Sequence, residues 1–164
     1  MTRRGSAVLL LFVSILVSAC RQTDGTPPTP SGETSQRLVD LGRDLEHVAA
    51  GDAQAPQEFT DDLLVYVHEP TGTEPARKMA ATITRVLKTR TLNAETSNRL
   101  AMLLWTSVAA RDFSERQIDA LSDDVRGLLI AIGVSQQDAN AAAGSVGTVQ
   151  RALTRRARRW YERY

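Results

Sequence analysis

Apolar side chains recur every three or four residues along almost the whole chain from residue 35 to its end. This spacing places them on one face of an α-helix, whereas a half-buried strand would alternate apolar and polar residues with a period of two. No stretch alternates in that way for long enough to indicate a strand. The pattern predicts an all-α domain over residues 35–164, built as a single compact bundle or array of about six short helices.

Glycines and capping residues mark most of the expected helix boundaries. Gly51 and Gly133 follow the first and fifth apolar stripes, where helices commonly end. Asn93 and Ser135 precede the fourth and sixth stripes, where such side chains accept hydrogen bonds from the first turn. The residues expected in the core share helical spacing; they are Leu38, Leu41, Leu45, Val48, Leu63, Leu64, Val67, Ala76, Met79, Ala80, Ile83, Val86, Leu87, Leu100, Leu103, Leu104, Val108, Ile118, Leu121, Val125, Leu128, Leu129, Ile132, Ala142, Val146, Val149, Leu153 and Trp160.

Threonines, prolines and a glycine mark the expected boundaries of the second and third helices. Thr60 is a plausible N-cap for the second helix, with Phe59 as its apolar staple. Pro70 and Gly72 are expected to end that helix. The stretch from Thr73 to Pro75 then predicts the start of the third helix, since proline is favoured in a first turn.

The first twenty residues have a composition unlike the rest of the chain. Arg3 and Arg4 are followed by an uncharged apolar run of eleven residues, 7–17. A bilayer-spanning helix needs about 20 such residues, so this run has instead the length of the apolar core of a signal peptide. Small residues follow it, and directly after them comes Cys20, the only cysteine of the chain.

The stretch Val17-Ser18-Ala19-Cys20 resembles the lipobox of bacterial lipoproteins, and the resemblance covers residues 1–20. It implies that residues 1–19 are a signal peptide, cut between Ala19 and Cys20. It also implies a diacylglyceryl thioether on Cys20, often with further acylation of the new amino terminus. Because the lipid would occupy the one sulfur, we expect no free thiol and no disulfide. We also expect no metal and no cofactor besides this covalent lipid.

The same resemblance implies an address in the cell. Two or more acyl chains give stable anchoring, at about 0.8 kcal/mol for each buried methylene. The protein would therefore be anchored to a membrane without spanning it. In enteric lipoproteins an Asp after the cysteine retains the protein in the inner membrane. This chain has Arg21 there, which favours the outer membrane, with the domain in the periplasm.

Residues 20–34 are predicted to be the lipidated cysteine and a disordered linker. The stretch 21–34, RQTDGTPPTPSGET, has no large apolar side chain and holds three of the six prolines. Such a composition cannot bury a core. At about 3.1 Å per residue it would extend roughly 40 Å, enough to hold the domain clear of the lipid surface.

Few residues in the chain could support catalysis. The sequence lacks a Gly-x-Ser-x-Gly elbow, a phosphate-binding loop, a His-Glu-x-x-His pair and a Ser-x-x-Lys pair. We therefore expect a protein that is not an enzyme. One alternative places His47 with Asp40 and Asp44 on one helix face, and His68 with Asp61 on the next, which would form a metal site if the two helices pack side by side. We favour the other interpretation, in which these histidines and aspartates are ordinary solvated surface residues.

Charge is distributed unevenly along the chain. Residues 33–74 hold ten acidic residues against two arginines, a net charge of −8. Residues 151–164 hold six arginines against Glu162, a net charge of +5. In the favoured interpretation, Leu153, Ala157 and Trp160 dock on the core. The arginines then face solvent or the acidic early helices.

The tail can also be interpreted as a contact site for an anionic surface or partner. Candidates are lipid headgroups, cell-wall carboxylates and an acidic protein, with up to about 1 kcal/mol per cation at a lipid surface. Nucleic acid is not expected as a partner, since the signal takes the chain out of the cytoplasm. The residues proposed for the contact are Arg155, Arg156, Arg158, Arg159, Trp160 and Arg163.

The sequence thus predicts a membrane-anchored envelope lipoprotein whose helical domain binds an envelope protein or the cell wall. An alternative rests on Phe113-Ser114-Glu115-Arg116-Gln117, which resembles the LTxxQ signature of small helical periplasmic chaperones and metal-stress sensors. Ser114 and Gln117 also fit a helix capping box, with Phe113 and Ile118 as its staple, and that needs no shared function.

Overall fold

The computed structural model describes residues 32–110 and 112–161, with side chains placed through Thr154. Six helices and no strand occur in this part of the chain, which confirms the predicted all-α fold. In chain order the helices are α1 (Gly32–Ala50), α2 (Ala55–Leu64), α3 (Pro70–Leu87), α4 (Ala94–Ala109), α5 (Glu115–Ala131) and α6 (Gln136–Tyr161).

The first helix begins three residues before the expected end of the linker. Residues 32–34 are helical, and Glu33 lies in the first turn, where a carboxylate interacts favourably with the helix dipole. Its side chain also pairs with Arg37 one turn later, at 3.2 Å. Local charge pairing thus extends α1 beyond its apolar stripe.

The predicted start of α2 is wrong by six residues and that of α3 by three. Helix α2 begins at Ala55, so Thr60 lies inside it, and its hydroxyl donates to the Pro56 carbonyl at 2.7 Å instead of capping. Helix α3 begins at Pro70, which opens that helix and does not end α2. Pro75 lies inside the helix in its second turn, and because proline has no N–H, the Thr71 carbonyl receives no hydrogen bond from residue 75.

The other boundary predictions are confirmed. Asn93 accepts a hydrogen bond from the Thr96 amide at 2.8 Å, and Ser135 accepts one from the Asp138 amide at 3.1 Å. Ser114 and Gln117 form the predicted capping box of α5. After α1 and α5 the chain turns through glycines with φ of +86° and +83°, a conformation that favours glycine.

Two groups of helices share one core. Helix α1 packs on α2 and α4, while α6 packs on α3, α4 and α5, and the two groups are joined through α4 and through the packing of α2 on α3. Helices α3 and α6 run antiparallel: the start of α3, at Gly72, lies against Leu153, and Arg85 near its end pairs with Asp138. The arrangement leaves one face of α3 in solvent.

Most of the predicted core residues are buried. Leu64, Val67, Leu128 and Ile132 are only partly buried at its margin, and the Trp160 side chain lies outside the described residues. The core also contains side chains that periodicity did not single out. These are Ala49, Ala55, Phe59, Tyr66, Ala101, Trp105, Val134, Ala139 and Ala143, with the polar side chains of Ser97, Ser107, Gln150 and Thr154.

Candidate interaction surface

The seam between α1 and α2 is acidic, and two carboxyl groups meet there. Asp44 of α1 faces Asp62 of α2, close enough for a hydrogen bond between their carboxyl groups when one is protonated, and Glu58 adds a third negative charge nearby. One oxygen of Asp44, Oδ2, is shielded from solvent and receives no hydrogen bond within the described part of the chain. We call Asp44, Glu58 and Asp62 the acidic seam.

Burial raises the pKa of Asp44 from 3.8 to about 6, and the charges of Asp62 and Glu58 act in the same direction. His47 opposes the shift. Burial disfavours an ionised carboxylate, and two neighbouring carboxylates disfavour it further. The seam therefore binds a proton more tightly than an ordinary aspartate does.

The arginines of α1 do not neutralise this seam. Arg37 pairs with Glu33 at 3.2 Å and Arg43 pairs with Asp40 at 2.9 Å, and both pairs are largely exposed. Exposed ion pairs of this kind contribute little to stability, about 0–1 kcal/mol. The acidic excess expected for residues 33–74 is therefore present on the folded surface of α1 and α2.

The metal-site alternative is not assembled as the sequence suggested. Helices α1 and α2 do pack together, but Asp44 meets Asp62 and not Asp61. His47 and His68 are both exposed. In the described part of the chain, no group of three or more His, Asp or Glu side chains could hold a metal ion.

Helix α3 presents a basic face to solvent. Arg77, Lys78, Arg85 and Lys88 are all exposed. At 100° per residue, they fall opposite the buried stripe of the helix. Residues 75–92 contain five cationic side chains, the fifth being Arg90, and no acidic one. We call the four exposed cations the basic face of α3. The run of cations in residues 75–92 is the sequence signal for this face, but the predicted partner contact was assigned to the arginines near the end of the chain instead.

Carboxylates reach the basic face from two places. Glu74, one turn before Lys78, pairs with it at 3.4 Å. Asp138 of α6 pairs with Arg85 at 2.7 Å. Hydrogen bonds from Arg85 and from Ser135 lower the pKa of Asp138. Both pairs are substantially exposed, so they screen the basic face only in part.

An open cleft of about 330 Å³ lies between α5 and α6. The guanidinium of Arg151 spans it and binds Glu115 at 3.0 Å and Asp119 at 3.1 Å. Arg126, also in the lining, pairs with Asp123 at 2.9 Å. Because the cations of this cleft are held by its own carboxylates, the cleft offers a ligand no concentrated charge of one sign.

The residues predicted for lipid attachment and partner contact are not tested by this structure. Ala19 and Cys20 lie outside the described residues, as do the side chains of Arg155, Arg156, Arg158, Arg159, Trp160 and Arg163. The backbone of α6 is helical as far as Tyr161, so five of these six tail residues belong to that helix.

The motif behind the chaperone alternative has a structural role here. The Ser114 amide and hydroxyl both contact the Gln117 side-chain oxygen, at 2.9 and 2.8 Å. Ser114 in turn accepts a hydrogen bond from the Gln117 amide. The two polar side chains that define the motif are thus engaged in capping α5, and a role in client or metal binding stays a prediction.

Within the described residues, no helix has the length and apolar character needed to cross a bilayer. None of the family models, curated proteins or solved structures compared with this chain matches it. The fold thus defines the class, a small all-α domain with separate acidic and basic helix surfaces.

Proposed function

We propose that this chain is a lipid-anchored envelope protein whose helical body serves as a non-catalytic interaction module in the periplasm. The observation that carries the proposal is the sequence Val17-Ser18-Ala19-Cys20 after a charged start and an eleven-residue apolar run. Charge, apolar length and cysteine position agree with a lipobox, and the single cysteine of the chain stands at its lipid-bearing position.

The length of chain between Cys20 and the helical body is compatible with such a tether. Eleven residues, 21–31, separate Cys20 from the first helix at Gly32. At most they can bridge roughly 35–40 Å. A body attached in this way can either stand off from the lipid or lie against it, so its surface charge decides which occurs.

The charged side chains of the protein indicate what kind of partner it binds. The five arginines of residues 155–163 and the cations of α3 favour an anionic partner, whether an outer-membrane surface, cell-wall carboxylates or an acidic envelope protein. The acidic seam favours a basic partner or open solvent. Outer-membrane sorting is proposed from Arg21, which takes the place of the retention Asp.

Mass spectrometry of the native protein tests the proposal. The amino-terminal peptide should begin at Cys20 and carry fatty acyl groups, and residues 1–19 should be missing. Cys20→Ser should abolish the lipid adduct and membrane attachment, whereas Ser14→Ala, inside the apolar run, should leave both unchanged. An intact Met1 or an unmodified thiol on Cys20 would overturn the proposal.

A further inference from the structure

We propose that the basic face of α3, made of Arg77, Lys78, Arg85 and Lys88, rests on anionic headgroups of the membrane that holds the lipid anchor. The inference depends on the proposed anchoring and adds to it a defined orientation of the body. The helical tail is not needed for it, since the argument uses only residues whose side chains the structure describes.

The four cations form a row along one side of the helix. They fall within about 100° of the helix circumference, opposite the buried residues Met79 and Ile83. From residue 77 to residue 88 the row extends about 16 Å along the axis. Such a row can contact a flat surface with all four side chains at once.

The charge of this row is only partly compensated. In the described part of the chain, no carboxylate lies within ion-pair distance of Arg77 or Lys88, and the carboxylates that pair with Lys78 and Arg85 are exposed. A surface of uniform negative charge can therefore compete for all four cations. The attraction falls off within a Debye length, about 8–10 Å at physiological ionic strength.

The composition of the face favours lipid headgroups over a protein partner. Protein interfaces usually depend on a few large apolar or aromatic anchors that enter pockets. The large apolar side chains exposed in the described chain, Val39, Val65 and Ile130, all lie outside α3, and the basic face offers only Ala81 between its cations. Headgroups need no such anchor, since long flexible cations contact phosphates independently.

The lysines of the chain provide a direct probe. Lys78 and Lys88 are its only two lysines, and both belong to the basic face. The mature protein is added to preformed vesicles. One set contains phosphatidylcholine alone, and the other also contains about 30 % of the anionic lipid phosphatidylglycerol, which attracts lysine and arginine side chains to the surface. An amine-reactive ester then modifies both lysines, and mass spectrometry follows the rate at each. Histidine-directed modification of exposed His47 on α1 is the internal reference.

Anionic vesicles should slow modification of Lys78 and Lys88 about fivefold relative to neutral vesicles, and 0.5 M salt should remove the difference. The rate at His47 should stay the same. The double variant Arg77→Gln/Arg85→Gln should lose most of the protection. The control Arg99→Gln/Arg116→Gln makes the same change in charge on exposed residues of α4 and α5 and should keep it.

Equal rates of lysine modification in the two kinds of vesicle would overturn the inference. So would a slower modification that does not depend on anionic lipid, or one that persists in the Arg77→Gln/Arg85→Gln variant. An acidic protein or cell-wall partner would leave the lysines unprotected on vesicles. The peptide that begins at Cys20, measured in the same digest, reports anchoring separately. A missing lipid adduct would contradict the proposed function, while lysine rates alone decide the orientation.

Discussion

The carboxyl group of Asp44 on α1 faces the carboxyl group of Asp62 on α2, close enough for a hydrogen bond between them when one is protonated. Two ionised carboxylates cannot make that bond, because neither has a proton to donate. Asp44 has the raised pKa, so it is the donor when protonated, and the helix pair is joined by a shared proton at mildly acidic pH. Above pH 6 the same contact becomes a repulsion between like charges.

The first prediction concerns Asp44→Asn. The pKa of Asp44 in the folded protein, about 6, lies above its value of 3.8 in a free chain. Folding therefore loses stability as the pH rises from about 4 to about 6, and the loss is complete above pH 6. An asparagine amide can donate to Asp62 at any pH. The variant should be more stable by about 1 kcal/mol at pH 7.5, after discounting for solvent screening, and nearly unchanged at pH 4.

Urea unfolding followed by circular dichroism at the two pH values measures this difference. Asp61→Asn is the matched control, since Asp61 is exposed next to Asp62 and its change should alter stability by under about 0.5 kcal/mol. A gain for Asp44→Asn that is the same at both pH values would contradict the proton-sharing explanation.

The second prediction compares two glycines within helices. A Cβ at Gly72 would lie 2.5 Å from the Leu153 Cδ2 atom and 3.0 Å from the Val67 Cγ1 atom. Gly72→Ala should therefore destabilise the fold by about 1–3 kcal/mol, because Leu153 is fully buried and has little room to move. Gly144→Ala meets no atom within 4 Å and should instead stabilise α6 by about 0.5–1 kcal/mol. Thermal unfolding of both variants checks the opposite signs, and a Gly72→Ala variant as stable as the parent would show that Gly72 does not lie against Leu153.

The third prediction concerns Gln150, a fully buried polar side chain of α6. Its amide nitrogen donates to the carbonyl oxygens of Thr106 at 3.2 Å, Ser107 at 2.7 Å and Ala110 at 3.3 Å. Thr106 and Ser107 lie in the last turn of α4 and Ala110 directly follows it, and the Thr106 carbonyl also accepts from the Ala110 amide at 3.2 Å. Gln150→Leu should cost about 1–3 kcal/mol, since it leaves the buried carbonyls without this donor.

Chemical denaturation measures that loss. Gln137→Leu, at an exposed position of the same helix, changes the same side chain and should shift stability by no more than about 0.5 kcal/mol. Similar losses in the two variants would mean that the cap on α4 is unimportant.

The fourth prediction concerns Thr89, between α3 and α4. Its φ of +67° is the one positive value among non-glycine residues of the described chain. The left-handed conformation is unfavourable for a β-branched residue, whereas asparagine adopts it more readily. Thr89→Asn should raise the unfolding free energy by about 1 kcal/mol, while Thr91→Asn in the same loop should not. Calorimetric melting temperatures decide, and a loss of stability at Thr89 would argue against the positive φ.

The sequence predicted the fold class, the starts of α4, α5 and α6, and most of the apolar core, although it missed Phe59, Tyr66 and Trp105. Helix α1 begins three residues earlier than expected, and the other errors are at α2 and α3, where Pro56, Pro70 and Pro75 all lie within helices. A proline in the first turn starts a helix, whereas one a few residues later usually breaks it, and the chain alone does not show which turn applies. Thr60 resembles a cap because threonine is favoured at that position, but its hydroxyl can also bond within a helix, as it does here.

Contacts between distant segments were harder to anticipate. The charge of residues 33–74 was apparent, but the pairing of Asp44 with Asp62 depends on the rotation of α2 against α1. Gln150 gave no periodic signal, because one buried amide among polar neighbours resembles a surface residue. The basic face of α3 was visible as a charge run, and it becomes a surface only once the opposite side of the helix is known to be buried.

The antiparallel packing of α3 against α6 also determines when the protein can close during synthesis. Leu153 reaches Gly72 across 81 residues of chain, so the part of α3 that packs on α6 stays uncovered until residue 153 has been made. Loop closure over such a distance is slow relative to local helix formation. We therefore expect the contact between α3 and α6 to form late in folding, after the individual helices have appeared.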